Sequence, residues 1–238
     1  MPFNTQYYFH RTLFYLTTPL FTVLLYFFGD NPENFDLIYI GALVLSCVFC
    51  WADKDTLGAL VILLGLWCLS QVIYILPGNI YSLVLVYVLC LVLSVAFIDQ
   101  VTAKITLIVT FYSIGAEVFW WHIDYINKPQ IHYLIGLLAL TGLARELLFK
   151  RVIILSEYFG IHSGKVALDW QIRGILSLYY GLMITVVFEY FVRHLMGFKQ
   201  LTVIYYSFSL IATILSGVTL ALIYCHYFYN QSKKHLQA

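Results

Sequence analysis

Long apolar runs alternate with short polar breaks along this chain, and most runs approach the length of a membrane crossing. A helix that spans about 30 Å of hydrocarbon needs about 20 mostly apolar residues. With the polar breaks as boundaries, such runs lie near residues 9–28, 36–51, 57–76, 81–98, 105–123, 131–150, 172–193 and 201–228. The breaks are Asp30 to Asp36, Ala52 to Thr56, Pro77-Gly78-Asn79, Asp99 to Lys104, Ile126 to Gln130, Lys150 to Gln171 and His194 to Gln200. Most are short, which sets consecutive helices side by side and antiparallel. The expected fold is therefore all-α, a polytopic membrane protein in which about eight transmembrane helices form a bundle. The whole chain, 1–238, reads as one integral membrane domain.

Composition agrees with that pattern. Charged residues are 11% and the hydrophobic set 62% of the 238 residues, with a mean hydropathy of +0.86. A soluble domain is about one quarter charged and just under half apolar. At this length a soluble fold cannot hide so much apolar surface, because its surface-to-volume ratio demands a polar exterior. The partner of this surface is the lipid bilayer. A formal net charge of +1 excludes a nucleic-acid partner, whose phosphates would call for a basic face. The first apolar run ends in Gly29-Asp30-Asn31-Pro32-Glu33 with no small-x-small cleavage site, so it is expected to stay as a span.

Charge also predicts orientation. With the N-terminus inside, one face holds Arg11, Lys54, Lys104, Arg145, Lys150, Arg151, Lys165, Arg173, Lys233 and Lys234, and the other Lys128, Arg193 and Lys199. That asymmetry follows the positive-inside rule. It predicts an integral membrane protein with both termini cytoplasmic, in the inner membrane if the source is bacterial. Trp120 and Trp121 then fall at an outer interface, where an aromatic belt belongs.

Ionisable residues inside a bilayer cost about 2.5–3.5 kcal/mol each on insertion scales and are functional candidates by default. They concentrate beyond residue 100. Glu117 follows Lys104 by a rise of about 20 Å, and Glu189 follows Arg173 by about 24 Å, at 1.5 Å per residue. Both carboxylates are thus predicted in the outer third of the membrane, near His122 and His194. Arg193 follows Glu189 by four residues and shares its helix face. Glu117, Glu189, Arg193, His122 and His194 form the candidate ligand or ion pathway, the alternative being a clamp in which Glu189 and Arg193 neutralise each other.

Arg145, Lys150 and Arg151 read as an anchor on lipid headgroups at the inner side. Arg145 and Glu146, adjacent on a helix, point in different directions and are not expected to pair. The long connection 151–171 is read as cytoplasmic. Its first part extends the sixth helix to a stop at Gly160, and a second short helix near Ser163 lies in the headgroup layer. Lys165, Asp169 and Trp170 on that segment are the candidate docking surface for a membrane or cytoplasmic protein partner. Tyr206, Ser209, Thr213 and Ser216, spaced by three and four, line one face of the last run, with Gly217 beside them. Such a stripe marks close helix packing or a solute path.

The five cysteines, Cys47, Cys50, Cys68, Cys90 and Cys225, lie within or at the edge of apolar runs and read as small hydrophobes, including the pair that forms C-x-x-C. The sequence contains no H-E-x-x-H and no G-x-S-x-G. Gly160 to Val166 lacks the spacing of a phosphate loop, and His162 with Glu157 makes too small a set for a metal. No catalytic residue, metal or cofactor is assigned. Three function classes follow, in order. The first is a conduit or carrier for an ion or small polar solute. The second is a sensor, anchor or scaffold subunit that acts through a protein partner, whereas a homo-oligomer without one fits the conduit. The third is an intramembrane enzyme built from scattered acidic groups and histidines.

Overall fold

The computed structural model describes residues 12, 15, 18–27, 32–76, 79–124, 131–160, 166–198 and 200–237. Among these residues the fold is all-helical: α1 (Thr18–Phe27), then α2 (Pro32–Phe49), α3 (Lys54–Ile75), α4 (Ile80–Ala96), α5 (Val101–His122), α6 (Ile131–Phe159), α7 (Val166–Leu195) and α8 (Val203–Gln237). Five of them, α3, α5, α6, α7 and α8, are long and apolar enough to cross a membrane, while α1, α2 and α4 are shorter apolar helices.

Local chemistry sets the helix ends. At α3, Asp53 receives the Thr56 hydroxyl at 3.1 Å while its carbonyl accepts Leu57 N–H at 2.9 Å, the behaviour of an N-cap residue. Asn79 caps α4 by accepting Ser82 N–H and Ser82 Oγ–H, each at 2.9 Å. Gly160 follows α6 at φ +62°, a left-handed conformation that glycine adopts without Cβ strain.

The expected connection 151–171 is largely helix. α6 has 29 residues and runs to Phe159, and α7 has 30 and begins at Val166. Residues 166–171 are thus the first turns of α7 rather than a separate surface helix. Ser163 and Lys165 lie outside the described residues.

α4 and α5 show why lipid is the right solvent. α4 buries Ser82, Val86, Tyr87, Cys90 and Ser94 and exposes Val84, Leu85, Val88, Val92 and Val95. α5 buries Ala103, Thr106, Thr110, Ser113, Ala116 and Trp120, while Ile108, Phe111 and Val118 face outward. Small and hydroxyl-bearing residues inside with branched apolar residues outside is the packing of membrane helices. In water the same faces would be an aggregation surface.

The chain forms two compact units, Met1–Trp67 with Leu147–Ile175 and Ser209–Ala238, and Cys68–Glu146 with Leu176–Phe208. In the first unit, Leu43, Leu60, Leu63, Leu148, Leu168 and Ile172 are fully buried. Tyr39 hydrogen-bonds Ser216 and Thr219 of α8 and packs on Trp67 with ring centroids 4.9 Å apart. Of the hydroxyl stripe on α8, Thr213 and Ser216 are buried, whereas Tyr206 and Ser209 are exposed. The stripe is therefore a packing surface at one end only.

Gly217 explains part of that packing. A Cβ there would meet the Thr22 hydroxyl and lie 3.0 Å from the Thr22 backbone N and Cα. Backbone cannot yield as a side-chain tip can. Gly217→Ala is expected to destabilise the fold by about 1–3 kcal/mol, read as a lowered midpoint of thermal unfolding in detergent.

In the second unit Trp120, Ile131, Ile135, Leu138 and Met183 are fully buried. The Cys90 thiol donates to the Ile135 carbonyl at 3.7 Å, tying α4 to α6.

Candidate functional site

The ionisable residues singled out from the sequence fall into three groups, and each carboxylate has different company. The first group lies in the second unit. Trp120 of α5 meets Tyr190 and His194 of α7 at centroid distances of 6.0 and 6.2 Å. Tyr190 and His194 stack at 4.6 Å. One turn before Trp120, Glu117 lies close enough to act electrostatically on Tyr87 of α4, which also responds to Tyr190. Tyr87 is buried, and its hydroxyl has no hydrogen-bond partner among the described residues. Glu117 is half-buried, with Oε1 shielded from solvent. The structure thus gathers Trp120, Tyr190 and His194 in one aromatic cluster, with the Glu117 carboxylate on the same helix as Trp120 and within electrostatic range of Tyr87. His122, expected in this group, is exposed.

Glu189 does something else. Its carboxylate accepts the backbone N–H of Ile204 at 2.7 Å and of Tyr205 at 3.1 Å. Those are the second and third residues of α8, where helix N–H groups have no intrahelical acceptor. Glu189 therefore caps α8 from α7, and the positive end of the helix dipole favours its charge. The expected Glu189–Arg193 pair does not form. Arg193 lies over the Tyr205 ring, 5.6 Å from its centroid. The carboxylate is drawn to two fixed backbone donors, and the guanidinium finds an aromatic face instead.

The second group surrounds Glu146. Arg145 and Glu146 do pair, at 3.1 Å, contrary to the helix-face expectation. Glu146 is buried, and the Arg145 guanidinium reaches it while also bonding two neighbouring helices. Arg145 Nε donates to Ser177 Oγ of α7 at 2.8 Å and Nη1 to Thr102 Oγ1 of α5 at 3.5 Å. Tyr180 donates to the Thr102 carbonyl at 2.8 Å and shares a 2.7 Å bond with Thr106 Oγ1. Arg145 thus belongs to an interhelical polar network and not to the headgroup anchor read from the sequence. Apolar surroundings strengthen each of these bonds and make an unpaired charge costly.

The third group lies in the first unit. Arg151 is buried, its Nε 2.9 Å from both Asp169 oxygens and its Nη2 2.7 Å from Oδ2. Nη1 donates to the Asp55 carbonyl at 2.8 Å, with the Asp55 carboxylate at 3.7 Å. Arg151 and Asp169, read from the sequence as an anchor and a docking charge, are buried and neutralise each other inside the fold. Gly58 admits the guanidinium, since a Cβ there would stand 3.0 Å from Nη1. Lys150 is exposed. Trp170 is 64% exposed, with the Arg173 guanidinium 5.4 Å from its ring centroid and 4.5 Å from that of Phe149.

The cysteines form no disulfide among the described residues. Cys50 sits between α2 and α3, and burial, reinforced by Asp53 and Cys47, pushes its thiol up to about 12. A thiol held protonated is a poor nucleophile and a poor metal ligand. Among the described residues no three His, Cys, Asp or Glu side chains stand where they could share a metal.

Sequence reasoning missed Tyr87 within range of Glu117, Tyr190 beside Trp120 and His194, and Thr102, Thr106, Ser177 and Tyr180 beside Arg145 and Glu146. A hydroxyl signal existed on α5, where Thr102, Thr106, Thr110 and Ser113 recur at three and four. No family model, no curated protein and no solved structure matches this chain.

Proposed function

We propose that this multi-pass membrane protein is a conduit or carrier for a proton or small cation, with Glu117 as its exchanging carboxylate. The observation that carries the reading is a division of labour among three carboxylates in apolar helices. Glu189 caps α8 and Glu146 pairs with Arg145. Glu117 lies within electrostatic range of Tyr87, on a helix that also carries Trp120 against Tyr190 and His194, side chains that can pass a proton or coordinate a small cation. Intramembrane carboxylates in such company mark ion and proton routes.

Eight crossings with both termini cytoplasmic complete the reading. α2, with 18 residues, and α4, with 17, rise about 27 and 26 Å, at the short end of the range of about 17–25 residues that spans a bilayer. Both termini inside then place Glu117 toward the outer leaflet.

A lipid-soluble carbodiimide adds to a carboxyl in its protonated form and leaves a stable acylurea. A carboxylate that exchanges protons in its working cycle visits that form, while one whose role is to cap a helix or to pair with a guanidinium is not required to. Peptide mass spectrometry of the labelled membrane protein is expected to find the adduct on Glu117 and not on Glu146 or Glu189. Labelling at Glu189 with none at Glu117 would overturn the assignment.

A further inference from the structure

Between α4, α5 and α6 of the second unit lies a cavity of about 20 Å³, lined in part by Ser94, Thr102, Thr106, Gly142 and Glu146. One water needs about 10–15 Å³ of such space, so a single water fits and a larger solute does not. Ser94 is 2% exposed, and its hydroxyl has no hydrogen-bond partner among the described residues. Hydroxyls on the neighbouring helices α5 and α6 are bonded differently. Thr110, Ser113 and Thr141 each donate to the carbonyl one turn back, at 2.7, 2.8 and 2.8 Å. Ser94 makes no such bond, yet a hydroxyl buried unsatisfied is costly.

We propose that this cavity binds one water molecule, which joins the Ser94 hydroxyl to the Glu146 carboxylate. A buried water needs about 2–4 polar partners. The Ser94 hydroxyl, the Glu146 carboxylate and the hydroxyls of Thr102 and Thr106 supply them on three helices. Charge selects water over a cation of similar size. Arg145 stands 3.1 Å from Glu146 and already neutralises it, so a bound cation would leave a net positive charge in apolar surroundings. The water would extend the Arg145 network to α4, linking Ser177 of α7 through Arg145 and Glu146 to Ser94. Its place does not depend on the role given to Glu117.

Two substitutions give opposite signs for a wet and a dry cavity. Ser94→Ala removes the hydroxyl. If water is bound, its hydrogen bond is lost and the unfolding midpoint is expected to fall by about 2–4 °C. If the cavity is dry, an unsatisfied group disappears and the midpoint rises. Gly142→Ala places a methyl 3.5 Å from Tyr180 Cε2 and 4.0 Å from Thr106 Oγ1, ordinary contacts that fill space without strain. Alanine is the better helix former, so in a dry cavity this variant is also stabilised. With water present it expels the water and lowers the midpoint. A third reading is direct: infrared spectra in H₂¹⁸O should show a shifted buried-water stretch in wild type that is missing from Gly142→Ala. Lower midpoints in both variants with that band support the site. An unchanged or raised midpoint in either variant, or no isotope-sensitive band in wild type, overturns it.

Discussion

Asp169→Ala is expected to destabilise the folded chain by about 3–5 kcal/mol, the usual cost of removing one partner from a buried ion pair. The reason is what remains behind. Arg151 would keep its bond to the Asp55 carbonyl at 2.8 Å and lose the three contacts of 2.7–2.9 Å to the Asp169 carboxylate. The Asp55 carboxylate, 3.7 Å away, is in ion-pair range but makes no hydrogen bond at that distance, so it offsets only part of that loss. A guanidinium cannot shed its proton to escape the cost. The double variant Arg151→Met with Asp169→Leu removes both charges and is expected to recover most of the loss, because apolar replacements of a buried pair are often neutral. Chemical or thermal unfolding in detergent measures both. A loss below about 1 kcal/mol for Asp169→Ala would mean that the pair behaves as a hydrated surface salt bridge and that the α6–α7 junction is held by other contacts.

Glu189→Ala is expected to cost about 1–2 kcal/mol, the upper part of the usual range for losing a helix N-cap, since it leaves two partly buried backbone donors without their acceptor. The loss should be local as well as global. Hydrogen exchange at Ile204 and Tyr205 should accelerate before that of the rest of α8, because their acceptors sit 15 and 16 residues earlier on α7. Glu189→Gln keeps one acceptor oxygen and is expected to lose roughly half as much. If the two amides exchange at the wild-type rate in Glu189→Ala, the carboxylate is not their cap.

These effects show where sequence was readable and where it was not. Apolar runs located helices, because hydropathy averaged over a span is insensitive to single residues. The Pro77-Gly78-Asn79 break and the stop at Gly160 were legible, because turns and left-handed helix ends are local chemistry. In the interval 151–171 the extension of α6 to Phe159 was legible, while residues 166–171 open α7 and form no separate helix. Arg151 and Asp169 lower hydropathy as individual residues, yet as a buried pair they are nearly neutral and belong inside the helix packing. Two opposite charges flanking a break were the available signal.

Rise along a helix predicted similar depths for Glu117 and Glu189. Direction around the helix axis was not legible. Glu189 turned to the backbone of another helix, an acceptor role that no side-chain pattern announces. Arg145 and Glu146 diverge at Cβ, but a long arginine can return to its neighbour when Ser177 and Thr102 on other helices hold it in place. Tyr87 could not be joined to Glu117 without knowing that α4 packs on α5.

Ion flux into liposomes is the most direct measurement of the proposed role of Glu117. Purified protein is reconstituted at several protein-to-lipid ratios, and internal pH and sodium are followed after imposing gradients of each. Uptake proportional to protein content, reduced at least about tenfold in Glu117→Gln (a barrier increase of about 1.4 kcal/mol) and largely retained in folded Glu189→Gln, is the expected result. Wild-type protein that is folded and inserted yet passes neither ion above empty liposomes, or Glu117→Gln with undiminished flux, would contradict it.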